Sequence, residues 1–331
     1  MFSDFIHEII NITNKLVNVR ELYIQSSGHH DPQPLFTSLW SSFGPKLHTL
    51  SFNGNLECYR TLVDSSPTLD GLQKLHFEFV NNIFRVDPPT DRAILVDVLL
   101  PFVNSLAPHL ISLRLWSWAV VDLSEFFSQL GPFPRLKDLS VRTSFNKAFG
   151  DASGLKGLIC DSSTTLQNVE LRLTPVRFAV NPLSEEPLSR WLLGCVSDER
   201  FFSRLRVLDI YPTNLAAGME FLLGCIQRTS PSLVKLIVRD RYLQDREIKI
   251  VLDAASSCSN LIYLRMNIQR LDATLLDRLA LKLPSISRLW LSFGDNAANE
   301  PNYLTVCIPI LHASSGSYII ISTNNRSDRL G

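Results

Sequence analysis

No sign of charge dominates this 331-residue chain. Its 32 basic and 32 acidic side chains cancel, so it lacks the electropositive footprint of a nucleic-acid binder. Long apolar runs are missing too. The strongest, AILVDVLLPFV from Ala93, falls short of the roughly 20 residues a bilayer span needs, and it contains Asp97. At the N-terminus, MFSDFIHEII has acidic residues where a signal peptide carries basic ones, and no apolar stretch leads to a small-residue cleavage site. The six cysteines, at 58, 160, 195, 225, 258 and 307, form no Cys-x-x-Cys pair, which argues against a zinc knuckle or a disulfide frame. They read as reduced thiols, mostly packing helices, in an intracellular protein, cytoplasmic or nuclear.

Reactive motifs are absent as well. GDASGLKG from Gly150 lacks the spacing of a phosphate loop, and neither a Gly-x-Ser-x-Gly elbow nor His-Glu-x-x-His occurs. His29, His30 and Asp31 diverge on an extended stretch without a third or fourth ligand, so they read as a polar loop and no metal or other cofactor is expected. Cys195 and Cys225 end two matching Leu-Leu-Gly-Cys segments, a pattern of packing rather than of reactive thiols. No enzyme is expected.

What the chain does contain is one frame, Leu-x-x-Leu-x-Ile in its form at Leu205, Leu208 and Ile210, repeated with small changes. It occurs at Val19/Leu22/Ile24, Leu47/Leu50/Phe52, Leu72/Leu75/Phe77, Leu110/Leu113/Leu115, Leu136/Leu139/Val141, Leu166/Val169/Leu171, Leu205/Leu208/Ile210, Leu233/Leu236/Val238, Leu261/Leu264/Met266 and Ile286/Leu289/Leu291. First residues are separated by 28, 25, 38, 26, 30, 39, 28, 28 and 25 positions. In a strand, the second and third apolar residues, two apart, point to the same face, and the first reaches that core from the turn before it. The expectation is Leu208→Ala costing roughly 2 to 5 kcal/mol and Asp209→Ala changing little.

Between frames the apolar period lengthens to about 3.6. Leu215, Met219, Leu222, Leu223 and Ile226 share a helical face behind Asn214 as N-cap. Ile248, Val251, Leu252 and Ala255 share another, and Leu275, Leu276, Leu279 and Leu283 a third behind Asp272. Alternating strands and helices that cannot bury their faces singly stack into a solenoid, with parallel strands on the concave side and helices on the convex side. The class expected is therefore α/β, a horseshoe-like solenoid of about ten repeats over residues 1–322. Residues 1–18 would be a partial first repeat, in which Phe5, Ile9, Ile12 and Leu16 follow helical spacing. Residues 300–322 would close the array, NYLTVCIPILH as a last helix and SYIIIS as a terminal strand, before a tail at 323–331.

LRVLDI, LVKLIV and LKDLSV, alternating with helices at this period, resemble leucine-rich repeats of the ribonuclease-inhibitor-like kind. The irregular lengths and the lead-ins SPSL, CSNL and FPRL resemble the substrate-binding repeats of fungal F-box proteins. The family's usual Asn or Cys three residues beyond the third apolar position appears only as Asn55, which implies irregular turns. The helical F-box module does not fit ahead of Val19, so the resemblance concerns the repeats alone and implies ubiquitin-ligase components only where such a module precedes them.

The positions between and beside the strand apolars fall on the concave face. Eleven of those thirty are Tyr, Trp or Arg, the types that dominate interface hot spots. The candidate partner-binding residues are Arg114, Trp116, Arg142, Arg172, Tyr211, Arg239, Tyr263, Arg265 and Trp290. An arginine and tryptophan mixture suits an acidic or aromatic-containing peptide segment. Two insertions after strands, VNNIFRVDPPTDR from Val80 and TPVRFAVNPLSEEP from Thr174, account for the longest intervals and would overhang one rim. The function expected is a non-catalytic protein-interaction scaffold of the F-box substrate-recognition type, binding neither nucleic acid nor membrane. The alternatives are a small-ligand sensor roofed by an inserted loop and a leucine-rich-repeat regulator of another enzyme.

Overall fold

A computed structural model describes residues 18–26, 33–65, 68–80, 88–118, 121–145, 151–175, 186–211, 216–293, 306–309 and 318–323, with positions 8, 12, 15 and 16. The chain divides into two compact units, one of residues 1–166 with 173–183 and one of 167–172 with 184–331.

Among its described residues the first unit carries five strands: β1 (Glu21–Ser26), β2 (Thr49–Gly54), β3 (Lys74–Phe79), β4 (Ser112–Ser117) and β5 (Asp138–Phe145). They pair in sequence order and in parallel. Between them lie α1 (Gln33–Phe43), α2 (Leu56–Asp64), α3 (Pro88–Ala93), α4 (Leu100–Leu106) and α5 (Ser124–Ser128), and α6 (Ser153–Asp161) follows β5. A π-helical turn, Ile94–Leu99, joins α3 to α4 just ahead of Pro101, which has no N–H to give a preceding carbonyl.

The second unit holds residues 168–172 of β6 (Asn168–Pro175) and continues through β7 (Val207–Ile210), β8 (Lys235–Leu243), β9 (Tyr263–Ile268), β10 (Arg288–Phe293), β11 (Val306–Pro309) and β12 (Tyr318–Thr323). Its strand order is β6-β7-β8-β9-β10-β12-β11, parallel except for the antiparallel β11–β12 pair. Its helices are α7 (Glu186–Val196), α8 (Ala216–Thr229), α9 (Asp245–Ala255) and α10 (Ala273–Lys282). Both units are α/β leucine-rich-repeat solenoid, one strand to each of the ten frames. No helix among the described residues is long and apolar enough to cross a membrane.

The frame behaves as the alternation requires. In the eight frames from Leu47 to Met266 no apolar residue is more than 2% exposed. Val19, Leu22, Ile24 and Ile286 are only half-buried. Ile12 and Leu16, expected on the buried face of a first helix, are exposed; Phe5 and Ile9 lie outside the described residues. The first unit adds an aromatic cluster in which Tyr59 meets Phe52 and Phe77 edge-on at 4.7 and 5.0 Å. Its hydroxyl donates to the Phe52 carbonyl at 2.8 Å and accepts from the Glu78 N–H at 2.9 Å, stitching β2 to β3. Burial pushes that phenol above its ordinary pKa.

Successive repeats are held by a recurring main-chain clamp. The carbonyl just before one strand accepts from two consecutive N–H groups at the start of the next. His48 O takes Gln73 and Lys74 N–H at 2.9 Å each, and Gln73 O takes Ile111 and Ser112 at 2.8 and 3.0 Å. In the second unit, Arg206 O takes Val234 and Lys235 N–H at 2.8 and 2.9 Å, and Ile262 O takes Ser287 and Arg288 at 3.0 Å each. This clamp needs no Asn at the turn. Asn55 instead caps α2, its Oδ1 accepting from Cys58 N–H at 3.2 Å.

Helix faces follow the predicted stripes. Ile248, Val251, Leu252 and Ala255 are buried, and Asp272 caps α10 by accepting from Leu275 N–H at 2.8 Å. Met219, Leu223 and Leu276 are half-buried, at the margins of their stripes; Asn214 and Leu215 lie outside the described residues. Gly154 lets α6 approach α5: a Cβ there would sit 2.4 Å from the Ser128 amide nitrogen. Arg228 of α8 donates to the carbonyls of Val196, Asp198 and Phe201, satisfying orphan acceptors beyond α7.

One element differs in kind. The stretch expected as a last helix contains strand β11, antiparallel to β12. Val306 and Ile308 alternate with β propensity, and Pro309 cannot sit inside a helix but is tolerated at the end of an edge strand.

Candidate functional site

Side chains between the buried apolars occupy the sheet face opposite the core. In the first unit, strand register sets two rows, Tyr23–Ser51–His76–Arg114–Ser140 and Gln25–Asn53–Glu78–Trp116–Arg142. Trp116 Nε1 donates to Ser140 Oγ at 2.7 Å, which fixes the indole. The Arg114 guanidinium lies 4.8 Å from its centroid. Arg142 lies 5.7 Å from Trp116 and 3.7 Å from Trp118, and Trp118 Nε1 donates to Glu78 Oε1 at 2.6 Å. The result is a tier of guanidinium on indole, each held through the ring quadrupole. Trp118 is 45% exposed. Arg114 Nε is buried without a hydrogen-bond partner among the described residues.

His76, beside Arg114 in register, is held neutral. Burial first, then the positive charges of Arg114 and Lys74, pushes its pKa down to about 4.

In the second unit the rows are Asn168–Val207–Lys235–Tyr263–Arg288 and Glu170–Asp209–Ile237–Arg265–Trp290. Arg239, one step further along β8, reaches back across both acids. Its Nε donates to Asp209 Oδ1 at 3.0 Å, and its Nη2 pairs with Asp209 Oδ2 and with Glu170 Oε1, the latter at 3.2 Å. Arg172 Nε lies 3.0 Å from Glu170 Oε1, an ion pair without hydrogen-bond alignment. Two arginines and two carboxylates thus form one closed network. Burial raises the pKa of Asp209 while Arg239 pulls it down, and the first effect is the larger.

Arg265 is placed differently. Its guanidinium lies 4.4 Å from the Trp290 ring centroid, and its Nε is buried with no hydrogen-bond partner among the described residues. Burial, followed by repulsion from Arg239, lowers its pKa, so its charge sits in an unfavourable place. Lys235 Nζ stands 4.6 Å from the Tyr263 ring.

The nine sequence candidates therefore fall into two groups, Arg114, Trp116 and Arg142 in the first unit and the other six in the second. Tyr211, Tyr263 and Trp290 are half-buried on the open face. Arg172, expected to face solvent, is only 8% exposed, because Glu170 holds it down. Asp209 is likewise buried, at 6%, and Thr49, Ile237, Asn267 and Ser292 join it. Strands roughly 4.8 Å apart let long side chains lie over their neighbours instead of standing into water.

Trp118 escaped the sequence reading because it lies beyond the frame, although the two-residue spacing Arg114, Trp116, Trp118 places it on the same face. Glu170 and Asp209 escaped because alternation reports a face and not a partner. Cys195 and Cys225 are buried, and burial raises the Cys225 thiol far above its ordinary pKa. No group of three potential metal ligands occurs among the described residues. His29, His30, Asp31 and most of the two inserted loops, residues 81–87 and 176–185, lie outside them.

No protein-family profile matches the chain, and no curated protein sequence matches it. Among solved structures, it is similar to TLR13 in the TLR13–ssRNA13 complex, with 17% identity and a TM-score of 0.39 over 89% of this chain and 38% of that one. It is also similar to a chain of the Rad7–Elc1 complex of yeast, with 14% identity and a TM-score of 0.37 over 90% of this chain and 92% of that one. The chain thus spans 38% of the length of the TLR13 chain.

Proposed function

We propose that this protein is a non-catalytic recognition scaffold that holds a partner protein on the open face of its strands. The observation that carries this reading is the pairing of guanidinium groups with indoles that each unit shows by itself, Arg114 and Arg142 with Trp116 and Trp118 in one and Arg265 with Trp290 in the other. Arginine and tryptophan are the residues that dominate interface energetics, and ring stacking keeps them ordered before a partner arrives, which lowers the entropy cost of binding. The finer reading, substrate recognition for a ubiquitin ligase, rests on the likeness of the SPSL, CSNL and FPRL lead-ins to F-box repeats.

A photo-crosslinking residue placed at Asn53 or Arg288 on the open face, in the native cell, should yield a discrete protein adduct. The same residue at Leu281, 78% exposed on α10, should not. Equal labelling from both faces, or from neither, contradicts the scaffold reading. A ubiquitin-ligase adaptor among proteins co-purifying with the adduct supports the finer one, and its absence removes it.

A further inference from the structure

Charge on the open face of the second unit is lopsided. Between and beside the frame residues of β6 to β10, on the open face, stand five cations, Arg172, Lys235, Arg239, Arg265 and Arg288, against two carboxylates, Glu170 and Asp209. The whole chain is neutral, so the excess is local. Both carboxylates are consumed by Arg172 and Arg239. Those two arginines are therefore neutralised by carboxylates of their own face. The adjoining Arg265 has no carboxylate within ion-pair distance among the described residues, and its guanidinium lies over the Trp290 ring at 4.4 Å from the centroid. The like charge that acts on it most strongly is Arg239, itself paired with Asp209 and Glu170.

We infer that Arg265 is the specificity-determining contact of this face, and that it takes the carboxylate of an Asp or Glu in an extended segment of the partner. Tyr263 and Trp290 beside it would flank a neighbouring apolar side chain of the same segment. The geometry matches a planar donor fork to a planar carboxylate, the pairing arginine makes best. An arriving carboxylate also relieves a charge that burial and Arg239 already disfavour, so the face is complementary to an anion and hostile to a cation. A net excess of three on a neutral chain is small for a binder driven by phosphate neutralisation, which favours a peptide over a nucleic acid. This inference rests on the scaffold reading and deepens it.

The test is selection of random phage-displayed peptides on the immobilised 331-residue chain and on its Arg265→Gln variant, with thermal melts confirming that the variant folds. Peptides selected on the parent chain should carry Asp or Glu at one fixed position beside an apolar or aromatic residue. Arg265→Gln should lose that preference and weaken a selected acidic peptide by about tenfold to a hundredfold in titration. Arg265→Lys, which keeps the charge and gives up the fork, should fall between and serves where the glutamine variant does not fold. Enriched peptides without an acidic position, or with affinities indifferent to both variants, overturn the inference and leave the scaffold reading standing. No enrichment at all overturns both. Capture of oligouridylate RNA that Arg265→Gln abolishes overturns the inference in favour of a nucleic acid.

Discussion

Arg239 on β8 forks onto Asp209 on the neighbouring β7, Nε to Oδ1 at 3.0 Å and Nη2 to Oδ2. A carboxylate that strand alternation aims at water is thereby sunk to 6% exposure, and the contrast drawn between Leu208 and Asp209 disappears. Removing Asp209 leaves a half-buried guanidinium with Glu170 alone.

Leu208→Ala is expected to cost roughly 2 to 5 kcal/mol from the cavity it opens. Asp209→Ala is expected to cost about 2 to 3 kcal/mol, the worth of charged hydrogen bonds lost while their donor stays in place. Urea titration of both variants measures this. Adding Arg239→Met to the Asp209 variant should recover part of the loss, since the stranded charge goes too. An Asp209→Ala midpoint equal to that of the parent chain contradicts the network.

His76 gives the stability a pH dependence. Its pKa in the fold is about 4 against an ordinary 6.5, so between those values the unfolded chain binds a proton that the folded chain refuses. Stability from this group is therefore complete above pH 6.5 and falls as pH drops towards 4. The part attributable to His76, after allowance for screening at a half-exposed site, is about 1 to 2 kcal/mol. His76→Gln should flatten the difference between urea midpoints at pH 7 and pH 4.5; an unchanged difference assigns it to other groups.

Two glycines of α6 should respond with opposite sign. At Gly154 an added Cβ meets the Ser128 amide nitrogen at 2.4 Å, whereas at Gly157 nothing lies within 4 Å. Gly157→Ala is expected to stabilise by about 0.5 to 1 kcal/mol through helix propensity. Gly154→Ala forces α6 away from α5 and is expected to lose about 1 to 3 kcal/mol. Thermal melts of the pair decide it, and matching signs would mean that the helices do not pack as described.

Tyr59→Phe removes one hydroxyl that serves both β2 and β3. With the Phe52 carbonyl and Glu78 N–H left to find other partners, a loss of about 1 to 3 kcal/mol is expected with little change in core volume. Hydrogen exchange should show the Glu78 amide as the most affected site in the first unit; equal protection in both proteins refutes the stitch.

The sequence made the strands legible because each combines a period-2 core with an apolar residue from the preceding turn, a spacing that few other structures require. Asp272 was legible as a cap for a similar reason, since capping is local chemistry. The open face was legible only in outline. Alternation placed Arg114, Trp116 and Arg265 there, but it is blind to lateral distance, so the closure of Arg172 and Arg239 on Glu170 and Asp209 did not show. At Val306–Pro309 the apolar spacing suits either element, and propensity with an edge position decided for strand.

The paired hydrogen bonds between successive turns of the chain have a consequence for how such a protein changes over generations. They are made wholly by peptide groups, so they register nothing of what side chains the outer arcs bear. Arcs can lengthen from 25 to 39 residues while the strands stay in step. New binding loops can thus be tried on one rim without loosening the frame that presents them.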